Sequence, residues 1–311
     1  MRTLMRGTSL TTLTAAALLT AACGSSSQIS AGSTISSATA ASPAVSSPTA
    51  RPSATQSAAS ASTSMSSPTA ATSFTPAPAS TESTASSSRS ASTATIPPSL
   101  RGRVISRIPT SRRIVALTFD AGANGDGVDA ILRTLAREKV PASFFLTGRF
   151  ADSYPTLTRR MSAAGRLGNH SVSHPHLPLL TDARMQAQIT GAETTLRRVA
   201  GEDPRPLFRF PFGDSTPREL KRVDALGYVA VGWTVDTLGW QGTSGGRSTA
   251  SVLRRVLAAK TPGEIVLMHV GSHPTDHSTL DATALPQVIS ALRAAGYSFV
   301  TLDTLIHQPS P

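Results

Sequence analysis

Cysteine and aromatic residues are scarce in this chain of 311 residues, and both shortages limit what the protein can be. A single cysteine excludes a disulfide framework and a cysteine-rich zinc site. Of the two Trp, three Tyr and nine Phe, only Phe74 precedes Phe119. The first third of the chain therefore has too little large apolar surface to offset the entropy of ordering. We expect one folded domain, residues 100–311, which is long enough to bury a sizeable core.

Acidic residues are also few, since 18 Asp and Glu stand against 29 Lys and Arg, and the formal net charge is +11. A basic protein can bind nucleic acid, but that function needs the charge gathered on one face. Here the basic residues fall in scattered pairs, such as Arg159 with Arg160 and Arg254 with Arg255. The pattern predicts a solvated basic surface and no nucleic-acid partner, and no protein partner is predicted.

The apolar run near the N-terminus, residues 10–22, is too short to span a membrane as a helix, which takes about 20 residues. It follows Arg2 and Arg6 and ends in two alanines before Cys23. This pattern is typical of an export signal, which we predict over residues 1–23.

The segment Leu19-Thr20-Ala21-Ala22-Cys23 resembles the lipobox of bacterial lipoproteins, in which the cysteine is lipidated and becomes the mature N-terminus. Thr20 departs from the Leu that is usual at its position. The resemblance implies that a lipid on Cys23 anchors the protein to the membrane. The alternative is simple secretion, and in both cases the domain is expected to work outside the cytoplasmic membrane.

Residues 24–99 consist of Ser, Thr, Ala and Pro with few charges, a composition that predicts a disordered linker. As a flexible coil, such a segment has a root-mean-square reach on the order of 50 Å. It could hold an anchored domain within the cell-wall layer.

The remaining chain alternates two patterns. Apolar runs rich in Val, Ile and Phe predict strands at residues 114–119, 142–147, 207–210, 228–235, 264–270 and 298–302. Segments with helical apolar spacing lie between them, at residues 127–139, 155–164, 182–200, 217–226, 249–260 and 284–295. This alternation predicts an α/β fold with a parallel sheet covered by helices, either a barrel or a doubly wound sheet. Polar residues at the strand ends favour the barrel.

Several of those polar side chains are suited to catalysis. His170 and His174 stand four residues apart, a spacing that brings two imidazoles within reach of one metal ion. Pro175 disfavours helical geometry, so this pair is expected on a turn after a strand. Asp120 and His269 each follow an apolar strand. Taken singly, each has an ordinary interpretation. His170 and His174 could be surface histidines. Asp120 could be a helix cap, and His269 a buried histidine held by hydrogen bonds.

The order of five motifs is more specific than any one of them. The motifs are Thr118-Phe119-Asp120-Ala121-Gly122, His170-Ser171-Val172-Ser173-His174, Arg209-Phe210-Pro211-Phe212, Asp236-Thr237-Leu238-Gly239-Trp240 and Leu267-Met268-His269. Over about residues 112–305 they resemble the successive motifs of the polysaccharide deacetylases, the NodB-homology domain of carbohydrate esterase family four. The resemblance implies a distorted (β/α) barrel, usually with seven strands, that removes acetyl groups from N-acetylated sugars with a divalent metal.

The resemblance also implies roles for the matched residues. Asp120 would be the general base that activates water, and His269 the general acid that protonates the leaving amine. Arg209 would hold Asp120 by a charge-assisted pair, and Asp236 would orient His269. The substrate-binding residues implied in the same way are Trp240 and Leu267, as walls around the acetyl methyl, and Phe212, through a backbone N–H on the oxyanion.

His170 and His174 would be the metal ligands, with zinc as the usual metal. The family usually has a second Asp in the first motif as the third ligand, and this chain has Ala121 there. A methyl group cannot coordinate a metal, so two protein ligands remain where catalytic zinc normally has three. The shell could be completed by Asn124, Asp126, Asp120 or an extra water.

Two further motifs are expected to be fortuitous. Residues 125–130 fit the dinucleotide pattern G-x-G-x-x-A, but five residues separate them from the strand end. Residues 242–246 match G-x-S-x-G, but no strand precedes them, so a nucleophile elbow is not expected.

The sequence thus predicts a membrane-anchored enzyme that hydrolyses N-acetyl groups on cell-wall polysaccharide, with peptidoglycan sugars as substrate. One alternative is an O-acetyl esterase acting on a glycan, because the same oxyanion chemistry serves esters. The other is a glycan-binding pseudoenzyme that lost its metal through Ala121.

Overall fold

The protein is described by a computed structural model that covers residues 96–307. The predicted signal peptide, Cys23 and nearly all of the predicted linker lie outside these residues. No helix within residues 96–307 is both long and apolar enough to cross a membrane.

The domain is built on one curled parallel sheet of nine strands. The strands are β1 (Val104–Ile105), β2 (Ile114–Ala121), β3 (Ala142–Leu146), β4 (Arg166–Asn169), β5 (Leu207–Phe208), β6 (Val229–Val231), β7 (Val235–Asp236), β8 (Glu264–His269) and β9 (Ser298–Phe299). Seven of them form a continuous arc in the order β6-β5-β4-β3-β2-β8-β7. The two-residue strands β1 and β9 pair with β6 and with the start of β2. The predicted α/β barrel architecture is confirmed, with a sheet curled into an incomplete barrel.

The arc leaves a seam between β6 and β7, which are joined by no ladder in the described part of the chain. The N-terminal segment, residues 104–108, lies across this seam. Its β1 pairs with β6, while Arg107 forms an antiparallel bridge with Glu264 on β8. The Ile108 amide donates to Gly263 O at 2.8 Å, and the Thr234 hydroxyl donates to Ser106 O at 2.7 Å. The segment therefore links the two sides of the arc.

Seven α-helices within residues 96–307 connect and cover the strands. They are α1 (Val128–Glu138), α2 (Gly148–Ser153), α3 (Pro155–Ala164), α4 (Asp182–Ala200), α5 (Pro217–Ala225), α6 (Thr249–Ala258) and α7 (Leu280–Ala294). Their ends follow local chemistry: Thr181 caps α4 through its side chain, and Gly201 ends it at φ 69°. Thr216 and Glu219 form a capping box at the start of α5.

The largest apolar cluster is formed by strands β2, β3 and β8 together with α1, α6 and α7. A second cluster joins both ends of the domain, since it contains Ile96 and Leu100 together with Leu302 and Leu305. Burial of Ile96 means that packing begins four residues before the predicted start at residue 100.

Candidate active site

The predicted catalytic residues lie at the carboxyl end of the sheet. Asp120 is the penultimate residue of β2, and His269 is the last residue of β8. These two strands are neighbours, and Asp120 is paired in register with His269. Asp236 ends β7 beside Leu267, and His170 directly follows β4. Because parallel strands end at one edge of a sheet, residues distant in sequence meet there.

A cavity of about 590 Å³ opens at this edge, a size that suits a small ligand. It is lined by Asp120, Gly122, Ala123, His170, Ser173, His174, Phe210, Phe212, Trp233, Asp236, Trp240, Leu267 and His269. The structure thus brings every site residue predicted within the domain to this cavity except Arg209, which lies against Asp120.

Arg209 is fully buried and directed at the Asp120 carboxylate. Its Nη1 donates to Asp120 Oδ1 at 2.7 Å, and its Nη2 donates to Gly232 O at 3.1 Å. The guanidinium also lies 4.1 Å from the centre of the Phe145 ring. Burial alone would raise the pKa of Asp120, but the charge of Arg209 and its hydrogen bond to the carboxylate hold this pKa below its usual value. Asp120 is therefore an ionised carboxylate at neutral pH.

His170 is held in one orientation by the backbone. Its Nδ1 lies 2.9 Å from Arg209 O, an acceptor only, so Nδ1 carries the proton and Nε2 has a free lone pair. Nε2 lies 3.4 Å from Asp120 Oδ2. The ring of His174 lies edge-on at 4.7 Å between ring centres.

Both of these histidines are electrically neutral. Burial lowers the pKa of His170 despite the nearby Asp120 carboxylate. Burial, followed by the neighbouring His170, lowers the pKa of His174 to about 4. A divalent metal binds histidine through the lone pair of a neutral imidazole nitrogen. The two rings are in contact, and the backbone fixes the tautomer of one of them, as is usual for a metal ligand.

The two imidazoles fit a metal, but the third ligand of a zinc set is missing. Within residues 96–307, no three His, Cys, Asp or Glu side chains are grouped as a metal site. Ala121 is fully buried in the largest apolar cluster. Asn124 is engaged with Ser272, whose amide donates to its Oδ1 at 2.8 Å, and Asp126 accepts from the Ser272 hydroxyl. Neither Asn124 nor Asp126 lines the cavity.

His269 differs from the other two histidines in the direction of its pKa shift. Burial works against its charged form, but the carboxylates of Asp281 and Asp120 raise its pKa above the usual value. Its Nδ1 lies 3.7 Å from Asp281 Oδ2, within the range of an ion pair. One cavity thus holds two imidazoles whose pKa is lowered and one whose pKa is raised.

Asp236, predicted to orient His269, makes other contacts in the structure. Its Oδ1 accepts from the Leu238 amide at 2.8 Å, and its Oδ2 accepts from Trp240 Nε1 at 3.4 Å. In the described part of the chain, the carboxylate that contacts His269 belongs to Asp281. Asp236 holds the loop that carries Trp240.

Aromatic side chains form the rim of the cavity. Phe212 and Trp240 are about half exposed, although both are large apolar residues. The Phe212 ring stacks on His176 with 4.0 Å between ring centres and meets His174 edge-on. Leu267, from β8, lines the buried wall. Exposed aromatic faces beside buried polar groups suit the apolar faces of sugar rings.

The loops around the cavity store backbone strain. Ser171, His174, Phe212 and Leu238 all have positive φ, between 59 and 66°. Non-glycine residues in this region are costly, and they concentrate at functional sites. The expectation that His174 lies on a turn agrees with its conformation.

Sequence reasoning did not identify the residues that hold these loops. Asn169 accepts from the Ser171 amide at 2.9 Å, and Gln188 on α4 accepts from the Ser173 amide at 3.0 Å. Trp233 lines the cavity and lies near Arg209. Asn169 could have been suspected as a polar residue before His170, but Gln188 lies in an ordinary helical pattern that gives no signal.

The G-x-S-x-G segment, residues 242–246, does place a serine near a histidine and an aspartate. Ser244 Oγ and Asp276 Oδ2 lie 3.3 and 3.4 Å from the same atom, His273 Nδ1. A catalytic relay needs the serine and the carboxylate on different ring nitrogens. This group is therefore a loop contact. In residues 125–130, Gly127 packs against Val270, the residue after β8, and a Cβ there would lie 2.6 Å from Val270 O.

Comparisons with known proteins agree with this geometry. Residues 107–231 match the polysaccharide deacetylase family. The peptidoglycan-N-acetylglucosamine deacetylase of Bacillus cereus is 34% identical over 198 residues, which cover 63% of this chain and 70% of that protein.

Solved structures share the fold. The crystal structure of the Bc1960 peptidoglycan N-acetylglucosamine deacetylase has a TM-score of 0.61 and 31% identity, covering 67% of this chain and 94% of that one. A CE4 family pseudoenzyme from Bacillus anthracis has a TM-score of 0.60 and 26% identity, covering 66% of this chain and 69% of that one. On its sequence, its sheet and its site, the chain belongs to the polysaccharide deacetylase family.

Proposed function

We propose that this protein hydrolyses the N-acetyl groups of cell-wall polysaccharide, with peptidoglycan sugars as substrate and with the help of a divalent metal. The grouping in one cavity of Asp120 with three histidines whose pKa values are shifted in opposite directions carries this proposal. Amide hydrolysis needs an ionised base, neutral metal ligands and a proton donor for the departing nitrogen. Asp120, the pair His170 and His174, and His269 supply these in one cavity.

The reaction follows from these positions. Asp120 accepts a proton from a water molecule, whose oxygen attacks the acetyl carbonyl carbon. Arg209 keeps the carboxylate oriented and ionised through its hydrogen bond of 2.7 Å. His269 gives its proton to the sugar nitrogen as the carbon–nitrogen bond breaks, so acetate and a free amine leave. A metal bound by His170 and His174 would polarise the carbonyl and favour the oxyanion.

The substrate class is supported by the relatives and by the rim. The Bacillus cereus relative is named for deacetylation of peptidoglycan N-acetylglucosamine. In this chain, Phe212 and Trp240 offer exposed aromatic faces on the rim of the cavity. A polymer could lie across the rim while one acetyl group enters the cavity.

We also propose that the domain acts at the outer face of the cytoplasmic membrane, held by a lipid on Cys23. The support is the short apolar run and the small residues before this cysteine. This placement puts the cavity in the same compartment as peptidoglycan.

The test is acetate release from purified peptidoglycan, with and without chelator. Asp120→Asn and His269→Ala should each lower the rate by at least about 10²-fold, the usual scale for a general base or acid. Asp129→Asn is the matched control, because Asp129 is an exposed carboxylate on α1 and should leave the rate unchanged. Near-native rates in both active-site variants would refute the assigned roles.

Two outcomes would favour the alternatives. Faster release from an O-acetylated glycan than from an N-acetylated one would indicate an esterase. The pseudoenzyme alternative draws on Ala121 and on the similarity to a pseudoenzyme structure. It predicts glycan binding without acetate release, no stoichiometric metal and no effect of chelator.

A further inference from the structure

Asp281 is a buried carboxylate beside the proposed general acid. It lies in the first turn of α7 and is 3% exposed. Its Oδ2 accepts from the His269 amide at 2.8 Å and lies 3.7 Å from His269 Nδ1. Its Oδ1 and His269 Nδ1 are both buried, with no hydrogen-bond partner within residues 96–307. Two unpartnered buried polar atoms on facing side chains indicate a pair that closes further when the ring is charged.

An aspartate in the first turn of a helix often only complements the helix dipole. Asp281 also has a partner outside its own helix, because its carboxylate accepts a hydrogen bond from the His269 amide on β8. The cap position of α7, Thr279, makes no side-chain capping bond. The carboxylate therefore faces the strand end that carries His269.

Gly239 leaves the space that Asp281 fills. A Cβ at position 239 would overlap Asp281 Oδ1 and lie 2.5 Å from Cγ. Gly239 has no positive φ, so its backbone would accept another residue. The need for glycine at this position is thus one of space, set by a carboxylate from a different element.

We propose that Asp281 is the positioning residue for His269 and that Gly239, which has no side chain, leaves the space that the Asp281 carboxylate occupies. Asp236, three residues before Gly239, instead accepts hydrogen bonds from the Leu238 amide and from Trp240 Nε1. Asp281 orients the His269 ring through its Nδ1 atom, which leaves Nε2 to face the substrate nitrogen. The catalytic part of this inference rests on the proposed function.

The first test is Asp281→Asn. The amide oxygen of Asn can still accept a hydrogen bond from the His269 backbone amide. The negative charge that faces His269 Nδ1 is lost. We expect kcat to fall at least about tenfold with KM changed less than about twofold, because the lost interaction acts on the proton donor. Asp182→Asn is the matched control, since Asp182 is a first-turn aspartate on α4. It should leave both constants unchanged, whereas equal loss in the two variants would assign Asp281 to the helix dipole.

The second test asks whether Asp281 acts through His269. In a His269→Ala background, Asp281→Asn should cost less than about twofold further, because the group it positions is gone. Multiplication of the two single losses would overturn the inference.

The third test approaches the pair from Gly239. Gly239→Ala should lower kcat as Asp281→Asn does, because the methyl displaces the carboxylate. In an Asp281→Ala background, the same methyl should cost less than about twofold. This route stays decisive if an Asp281 variant alone folds poorly, and an undiminished kcat in Gly239→Ala would contradict the proposal.

A readout without catalysis separates this inference from the proposed function. The Cε1 carbon resonance of His269, followed by NMR through a pH titration, reports its protonation. Asp281→Asn should lower the midpoint relative to the native protein, and Asp182→Asn should not. An unchanged midpoint would refute the pairing. A native protein that releases no acetate yet shows the shift would refute the proposed function alone.

Discussion

Glu264 is another buried carboxylate, and it lies at the other end of β8 from His269. It is fully buried, and neither carboxylate oxygen has a hydrogen-bond partner within residues 96–307. Burial raises the pKa of Glu264 to about 7. Because this exceeds the ordinary value, the folded state binds more protons than the unfolded state between about pH 4.5 and 7. The contribution of Glu264 to stability is therefore fullest in acid and falls as the pH rises through 7.

Glu264→Gln should remove this pH dependence. Between pH 5 and 8 we expect the native free energy of unfolding to fall by about 1–2 kcal/mol more than that of the variant. Urea unfolding at both pH values measures the difference. Glu138→Gln, at a partly exposed carboxylate paired with Arg293, is the control and should keep the native change in stability between pH 5 and 8. Parallel curves for native protein and Glu264→Gln would contradict the prediction.

Ala121 occupies the position at which the sequence resemblance predicts a metal-binding Asp. Its methyl is fully buried among apolar side chains. We expect Ala121→Asp to destabilise the metal-free protein by at least about 2 kcal/mol, because the carboxylate loses its hydration. Added Zn²⁺ should then raise the melting temperature of Ala121→Asp more than that of the native protein, since a ligand that binds the folded state stabilises it.

Ala121→Asn is the control for Ala121→Asp, because the amide has nearly the same size and no charge. It should show the same stabilisation by Zn²⁺ as the native protein. Equal zinc-induced shifts in all three proteins would show that residue 121 does not reach the metal.

At the residue scale, the sequence was informative where chemistry and position coincide. Asp120 and His269 could be predicted because each is a polar side chain at the end of an apolar strand, and His170 because it stands four residues before His174. Asp281 could not, because the apolar spacing placed the start of the last helix at residue 284, whereas α7 begins at Leu280. A carboxylate in a predicted loop gives no sign that it packs against a strand end.

The elements whose ends are marked by Pro, Thr or Gly in the sequence were predicted closely. Helices α3 and α4 have the predicted bounds, because Pro155 and Thr181 mark their starts and Gly165 and Gly201 mark their ends. β4 was missed because Arg166-Leu167-Gly168-Asn169 contains one large apolar residue, and its place in the sheet depends on β3 and β5.

The run at residues 228–235 was predicted as one strand and is two, β6 and β7. The seam of the sheet falls between them, and Gly232 there donates its amide to Ile105 O at 2.9 Å. A run of apolar residues cannot show that another part of the chain interrupts it.

The segment across the seam gives a prediction at the element scale. A chain that begins at residue 96 should keep the melting temperature of the full chain, as the composition of residues 24–95 implies. A chain that begins at residue 109 lacks four buried aliphatic residues, Ile96, Leu100, Ile105 and Ile108. Its melting temperature should fall by at least about 10 °C, at about 1.5–3 kcal/mol for each buried side chain. Equal melting temperatures would mean that the segment does not support the sheet.

At the scale of the whole molecule, the proposed anchor determines which substrate the domain can reach. Cys23→Ser should release the protein from the membrane fraction or leave its signal peptide uncleaved, because the lipid is attached through the thiol. Fractionation followed by mass measurement of the N-terminal peptide reads both outcomes. Thr20→Leu, which restores the usual lipobox residue, is the control and should remain membrane-bound. Undiminished membrane retention of Cys23→Ser would exclude lipid anchoring.

The register of β2 against β8 has a consequence for the time course of folding. Asp120 and His269 face each other across adjacent strands, yet they lie about 150 residues apart in sequence. Loop closure over such a distance is slow, and strands near in sequence, such as β2 and β3, can pair first. The proposed base and the proposed acid therefore meet only when nearly the whole domain has been synthesised and has closed. A chain in which β2 and β8 have not yet paired has no assembled catalytic pair, so we expect hydrolytic activity only after these two strands have paired.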